Sequence, residues 1–255
     1  MKTKTFNIAD LHGRYDLLEK AIEQIEAYPD VEKGVVVFTG DYIDRGLQSK
    51  QVIARLLKGP NDTSKWTWVC LKGNHETFLE QYYFENKLIN DDFWCAYNGG
   101  KQTLASYDDE GMSYMERLQN PKLLIPKAHA EFIRDMPYYY KDKARVFVHA
   151  KVDPETRLED QDKREMVWDL YPQGGSGGWW DDDSAGWKTV VHGHEQDENN
   201  PSHFYLRYNY DTFAWYTGKL VVGVWDDNGT DPIDNIKIRL RSHVEKQLDD
   251  ERWMY

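Results

Sequence analysis

Val35-Val36-Val37-Phe38 runs straight into Thr39-Gly40-Asp41-Tyr42-Ile43-Asp44-Arg45-Gly46, and this junction decides how the rest of the chain is read. Four consecutive β-branched or aromatic residues with no polar alternation spell a strand buried on both faces. Gly40 and Gly46 bracket the turn that follows, so Asp41, Asp44 and Arg45 stand at the carboxyl end of that strand. In open α/β sheets that edge is where ligands collect. Two carboxylates and a guanidinium in one isolated turn would be ordinary solvated charges. Here the same grammar occurs twice more.

Upstream, Phe6-Asn7-Ile8-Ala9 alternates as a short strand and ends in Asp10-Leu11-His12-Gly13. Residues i and i+2 of such a backbone project to one side, so Asp10 and His12 can converge. Leu17, Leu18, Ala21, Ile22 and Ile25 follow at helical spacing, with Pro29-Asp30 as the stop. After the central turn, Val52, Ile53, Leu56 and Leu57 give a second helix that Gly59-Pro60-Asn61-Asp62 ends. Trp66–Leu71 is a third strand, Lys72-Gly73-Asn74-His75-Glu76 its turn, and Phe78 to Leu88 its helix. Three successive strand–turn–helix units predict an α/β fold with parallel pairing and right-handed crossovers. Their turns then lie side by side, which makes Asp10, His12, Asp41, Asp44, Asn74 and His75 one constellation.

Two later strands also end in imidazoles: Arg145-Val146-Phe147-Val148 leads to His149, and Thr189-Val190-Val191 to His192-Gly193-His194. Between them, Asp162 to Leu170 reads as a helix ending near Trp168. Gln173 to Trp187 reads as a Gly/Trp-rich flexible loop, either a substrate lid or a loop folded on its own protein. About Asn90 to Tyr140 is aromatic-rich and helical, with Pro126 opening a helix that Pro137 closes. Phe204–Leu206, Asn209–Thr212 and Leu220–Trp225 supply strands for a second sheet packed on the first. Leu240, Val244 and Leu248 at fourfold spacing predict a C-terminal helix over about 239–252. With no internal repeat and no boundary, residues 1–255 read as one domain carrying a helical insert at about 75–140.

The set Asp10-x-His12-Gly13, Gly40-Asp41-x-x-Asp44-Arg45-Gly46 and Gly73-Asn74-His75-Glu76 resembles the signature of the calcineurin-like metallophosphoesterases. The branch it resembles is the phosphoprotein phosphatases, which includes phage and bacterial Ser/Thr phosphatases and symmetrical diadenosine tetraphosphate hydrolases. The resemblance implies a β-sandwich of two mixed sheets flanked by helices on both sides. It implies two divalent metal ions, with Mn²⁺ first and Fe or Zn as substitutes, held by Asp10, His12 and Asp41 and by Asp41, Asn74, His149 and His194, Asp41 bridging. Oxygen and nitrogen donors without thiolates suit such metals. It further implies in-line attack on phosphorus by a metal-activated water, His75 paired with Asp44 as the proton donor, and Arg45 as a bidentate grip on phosphate. Asn98, in Asn98-Gly99-Gly100, and Asp211, in Asn209-x-Asp211-Thr212, are carried over as substrate-cleft residues, Asn98 equally fitting a turn. His192 fits a packing or positioning role.

The chain departs from the pattern in three places. Ala9 stands where the family has Gly or Ser, and Phe213 where it continues with Gly. No second phosphate-gripping Arg lies in Trp168-Asp169-Leu170 or in Asp182-Asp183-Ser184; Arg164, Lys188 and Arg207 are the candidates to replace it.

The chain has 255 residues with 32 Lys+Arg against 44 Asp+Glu, a net charge of −12, so nucleic-acid binding is not expected. An acidic protein that handles phosphate needs local positive charge, most simply metal cations. Cys70 and Cys95 form no disulfide framework, and Cys70 reads as a small core residue. The N-terminus enters a strand without an apolar signal region, and no run approaches roughly 18 apolar residues. A cytoplasmic enzyme without membrane contact is therefore expected. Its substrates would be phosphoserine or phosphothreonine proteins and small aryl phosphates. The alternatives are nucleotides or dinucleoside polyphosphates, or a catalytically silent binding module, which the filled motif positions disfavour.

Overall fold

β2 (Lys33–Phe38) lies between β1 (Thr3–Ile8) and β3 (Trp66–Cys70), parallel to both, with Val37 opposite Asn7 on one side and Val69 on the other. These coordinates are a computed structural model, describing residues 3–85, 92–172, 175, 177–184 and 186–242. The crossovers are α1 (Tyr15–Glu26), which buries Leu17, Leu18, Ala21, Ile22 and Ile25, and α2 (Ser49–Lys58), stopped at Gly59. α3 (Asn74–Glu80) starts at the third turn and continues as a π-helical turn, Gln81–Glu85. A second π-turn over Asp92–Tyr97 leads to α4 (Gly100–Tyr107), α5 (Tyr114–Gln119), α6 (Pro121–Leu124) and α7 (Lys127–Arg134).

The second half of the chain builds β4 (Tyr139–Lys141), β5 (Arg145–Val148), α8 (Lys163–Trp168), β6 (Trp179–Asp181), β7 (Gly186–His192), β8 (Ser202–Phe204), β9 (Arg207–Asn209), α9 (Ala214–Thr217), β10 (Lys219–Asp226) and β11 (Asp234–Arg239). Two mixed sheets result. One has the order β11-β10-β1-β2-β3, the other β4-β5-β7-β9-β8 with β6 paired to β7. The expected sandwich is therefore the observed one.

Strand alternation divides the apolar residues into layers. Val37, Leu71, Phe147, Val191, Tyr208, Val221 and Trp225 fill the space between the sheets. Phe6, Ile8, Val36 and Phe38 point the other way, onto α1, α2 and the helical segment. Val146, Val148 and Val190 face outward from the second sheet onto Met166 of α8 and Trp179.

The structure differs from expectation in four places. Leu220–Trp225, expected in the second sheet, lies in the first, because β10 pairs antiparallel with β1, turning Val221 and Trp225 into the space between the sheets and Leu220, Val222 and Val224 onto the helical side. The segment read as a flexible loop contains a strand pair, β6 with β7, in which Trp179 is buried in the outer core and donates Nε1–H to the Thr156 carbonyl at 2.8 Å. Trp180 and Trp187 contact each other at 5.6 Å, so the described part packs on its own protein. Residue 239 ends β11 rather than opening a helix, and residues 243–252 of that expected helix lie outside the described residues. Cys70 is only partly buried because β3 is an edge strand, whereas Cys95 is buried.

Candidate active site

The loops after β1, β2, β3, β5 and β7 are stitched together by their own backbones. His12 N–H donates to the Asp41 carbonyl at 2.9 Å, and Gly193 N–H to the His149 carbonyl at 2.9 Å. His194 N–H reaches across to the Asp10 carboxylate at 3.1 and 3.2 Å, which joins the two sheets. Six of the nine described non-glycine residues with positive φ are here: Asp10, His12, Asp41, Asp44, Arg45 and His194. L-residues adopt this region at a cost, and such strain gathers where side chains must be aimed. Gly40, at φ +101, has no space for a side chain: a Cβ would come within 2.7 Å of the Gly73 backbone and 2.8 Å of His149 Nδ1.

Asp41 is the centre. His12 Nε2 lies 3.5 Å from its Oδ2 and His149 Nε2 3.4 Å from its Oδ1. The Asn74 carboxamide stands 3.2 Å from both oxygens, 2.9 Å from His149 Nε2 and 3.3 Å from His194 Nδ1. Two trios therefore share Asp41: His12, Asp41 and His75, and Asp41, His149 and His194, each with its ligand atoms within 4.8 Å of one another. Asp10 is in neither trio, its carboxylate accepting from His194 N–H, and His75 completes the first.

The tautomers are fixed from behind. His12 Nδ1–H donates to the Ile43 carbonyl at 2.8 Å, His149 Nδ1–H to the Thr39 carbonyl at 2.8 Å, and His194 Nε2–H to the Trp168 carbonyl at 3.2 Å. A carbonyl can only accept, so the other nitrogen of each ring carries a lone pair. Three lone pairs then converge on one carboxylate, and His149 Nε2 meets His194 Nδ1 at 3.2 Å. A cation among these donors relieves their mutual repulsion, as does the Asn74 amide when its nitrogen is turned inward, 2.9 Å from His149 Nε2 and 3.3 Å from His194 Nδ1. Burial also holds His12 and His149 below the usual imidazole pKa and pushes His194 down to about 4, so protons do not relieve it. Burial pushes Asp10 well up, helped by Asp211 and Asp41. Burial would raise Asp41 too, but His149, His75, His12 and His194 outweigh it and hold this carboxyl low. Oxygen and nitrogen donors of this kind fit borderline divalent metals.

Beside this cluster, His75 Nδ1 bonds Asp44 Oδ2 at 2.6 Å, leaving Nε2 directed at Asp41, 3.8 Å away. Burial lowers the His75 pKa, but the Asp41 and Asp44 carboxylates outweigh it and hold it above the ordinary value. Asp44 itself is fixed by Trp94 Nε1–H at 2.8 Å and the Thr103 hydroxyl at 2.6 Å. Arg45 extends past these groups, its Nη1 donating to Gln196 Oε1 at 3.0 Å.

A family model described as calcineurin-like phosphoesterase matches residues 3–225. The chain belongs to the calcineurin-like phosphoesterase family. Serine/threonine-protein phosphatase 2 of Escherichia coli is 39% identical over 92 residues, 36% of this chain and 37% of that protein. The match thus spans little more than a third of the relative's length. Among solved structures, a candidate diadenosine tetraphosphatase superposes with TM-score 0.59 at 18% identity, covering 93% of this chain and 94% of its own. A protein serine/threonine phosphatase from Saccharomyces cerevisiae gives 0.53 at 16%, covering 95% and 81%. At these identities the likeness is one of fold.

Within this family member, Asp211 is buried, and burial with Asp41 pushes its pKa up to about 7. Asn98 is turned away into a local role, its amide donating to the Phe93 carbonyl at 2.7 Å. Two of the three basic residues weighed as a second phosphate grip are engaged elsewhere, and the third, Arg164, has an exposed side chain. Arg207 is buried between Tyr171 and Phe204, bonding His192 at 3.1 Å. Lys188 pairs with Asp181 at 3.5 Å, and Arg164 lies outward, 3.9 Å from Asp169. His192 is thus a packing residue held by Arg207.

Sequence reasoning missed Glu76, Trp94 and Thr103. Glu76 is fully buried and accepts from Asp41 N–H at 2.8 Å, Gly73 N–H at 2.9 Å and Tyr42 N–H at 2.9 Å, fixing two of the loops. Burial and Asp41 push its pKa up to about 7. Its place inside the Gly73–Glu76 motif was the available signal.

Proposed function

We propose that the chain is a divalent-metal-dependent phosphoesterase hydrolysing phosphate monoesters, those of phosphoserine or phosphothreonine proteins and small aryl phosphates. The observation that carries this reading is the convergence of three imidazole lone pairs on the Asp41 carboxylate, with the proton-bearing nitrogens turned to backbone carbonyls. Asp10, His12 and Asp41 would hold one cation, and Asp41, Asn74, His149 and His194 the second, manganese being the first choice. When bound, such a pair supplies charge neutralisation for a phosphoryl group and an acidified water. His75 holds the proton needed by the leaving oxygen, its tautomer set by Asp44. Arg45 presents a planar fork to the phosphate oxygens. Asp211, buried close to Asp10, would border the bound substrate. A site that draws its donors from both sheets supports reading the chain as one domain.

The folding likeness to a candidate diadenosine tetraphosphatase supports a second reading, a hydrolase of dinucleoside polyphosphates. A panel of p-nitrophenyl phosphate, a phosphoserine peptide, diadenosine tetraphosphate and a cyclic nucleotide, assayed with Mn²⁺, decides between them. Turnover of the first two supports the monoesterase, and turnover of diadenosine tetraphosphate alone supports the second reading. No turnover of any of them by manganese-loaded protein overturns both.

A further inference from the structure

The segment Phe213-Ala214-Trp215-Tyr216 carries three aromatic rings that belong to none of the apolar cores. They pack on one another instead: Phe213 stacks on Tyr216 at 5.0 Å and 19°, Phe213 meets Trp215 edge-on at 5.3 Å, and Trp215 meets Tyr216 at 5.7 Å. Phe213 sits at φ 57° and ψ 42°, a left-handed conformation that glycine adopts freely and a bulky residue resists. Keeping an aromatic side chain there costs stability, and core burial does not offset it. Strain retained in this way points to function.

The group is fixed against the site from three sides. The buried Arg14, two residues after His12, donates from Nη1 to the Ala214 and Trp215 carbonyls at 3.1 and 3.2 Å. Phe213 N–H donates to Asp211 Oδ1 at 2.9 Å. The Arg45 guanidinium lies over the Trp215 ring, 5.5 Å from its centroid. Tyr216 is 43% exposed, and Phe213 and Trp215 are partly so. A part-exposed aromatic surface therefore borders the one guanidinium proposed to hold phosphate.

We propose that Phe213, Trp215 and Tyr216 form a stacking shelf that receives a planar aromatic ring carried by the phosphoester. This rests on the phosphoesterase reading for the position of the phosphate. Among phosphoesters the shelf selects those whose alcohol side bears a nucleobase or a phenol ring, because any such ring offers a face to stack. Adenosine 5′-monophosphate against ribose 5-phosphate, and phosphotyrosine against phosphoserine, are pairs in which one member carries the ring and the other lacks it. Leaving-group chemistry alters kcat within the second pair, so KM and equilibrium Kd are compared. The wild-type protein is expected to favour the ring-bearing member of at least one pair by about 10-fold in both quantities. Phe213→Gly, which relieves the left-handed strain and so keeps the fold, and Tyr216→Ala should each reduce that preference to below about 3-fold. Preference in the first pair alone identifies a nucleobase, and in the second alone a phenol. No preference in either pair, or a preference that survives both substitutions, overturns the shelf. Ring-selective binding without turnover of any ester would leave the shelf standing and remove the phosphoesterase reading.

Discussion

His75 faces the site through one nitrogen because Asp44 holds the other at 2.6 Å, and Asp44 is in turn gripped by Trp94 and Thr103. His75→Asn removes the proposed proton donor while the proposed ligands Asp10, His12, Asp41, Asn74, His149 and His194 stay in the sequence. Turnover of p-nitrophenyl phosphate should fall about 10²–10⁴-fold while the metal content measured by elemental analysis stays at the wild-type level. Thr103→Val leaves one Asp44 oxygen without its hydroxyl donor. It should lower turnover by roughly 10-fold and stability by about 1–3 kcal/mol, read from urea unfolding. His75 and Asp44 were legible because their motifs place them in neighbouring turns. Trp94 was not, since its bond to Asp44 spans a helical segment whose path no local pattern specifies.

The turns behave as the aiming devices of their strands. Gly99 shows how closely they are packed: at φ +88 its Cβ position lies against the Arg45 backbone, whose N–H donates to the Gly99 carbonyl at 3.4 Å. Gly99→Ala should push Arg45 out of line and raise KM for phosphoesters by about 10-fold or more, checked by steady-state kinetics against circular dichroism of the folded variant. On the far side of the second sheet, Trp179 fills the outer core. Trp179→Ala should cost about 3–5 kcal/mol of stability by denaturant titration and leave kcat at 20 °C within twofold; a large kcat loss would restore the lid reading. The parallel trio was readable because its strands are apolar runs that end in glycine-bounded turns. The β6–β7 pairing was hidden, since three-residue β6 lies in a Gly- and Asp-rich stretch and gains its order from packing on Val146, Val148 and Val190. β11 was also missed, its burial resting on β10 alongside it rather than on its own pattern.

At the level of the molecule, five loops from two sheets supply one set of donors. Cations that bind the folded chain and not the unfolded one add stability by mass action, about 2.7 kcal/mol at a hundredfold excess over Kd. Stripping the protein with a chelator and returning Mn²⁺ should therefore move the unfolding midpoint up by roughly 5–10 °C. A midpoint indifferent to manganese would contradict the assignment of Asp41 as a shared ligand. The net charge of −12 works in the same direction, because added cations relieve repulsion within the carboxylate-rich cleft.

The hydrogen bond from His194 N–H to Asp10 ties one leaf of the sandwich to the other at the place where chemistry is expected. Warming that lets the leaves part slightly would silence the proposed phosphoesterase activity while every helix stays wound, so loss of activity on heating should precede loss of far-ultraviolet dichroism. A bound cation pair would act as the clasp that makes the two events coincide.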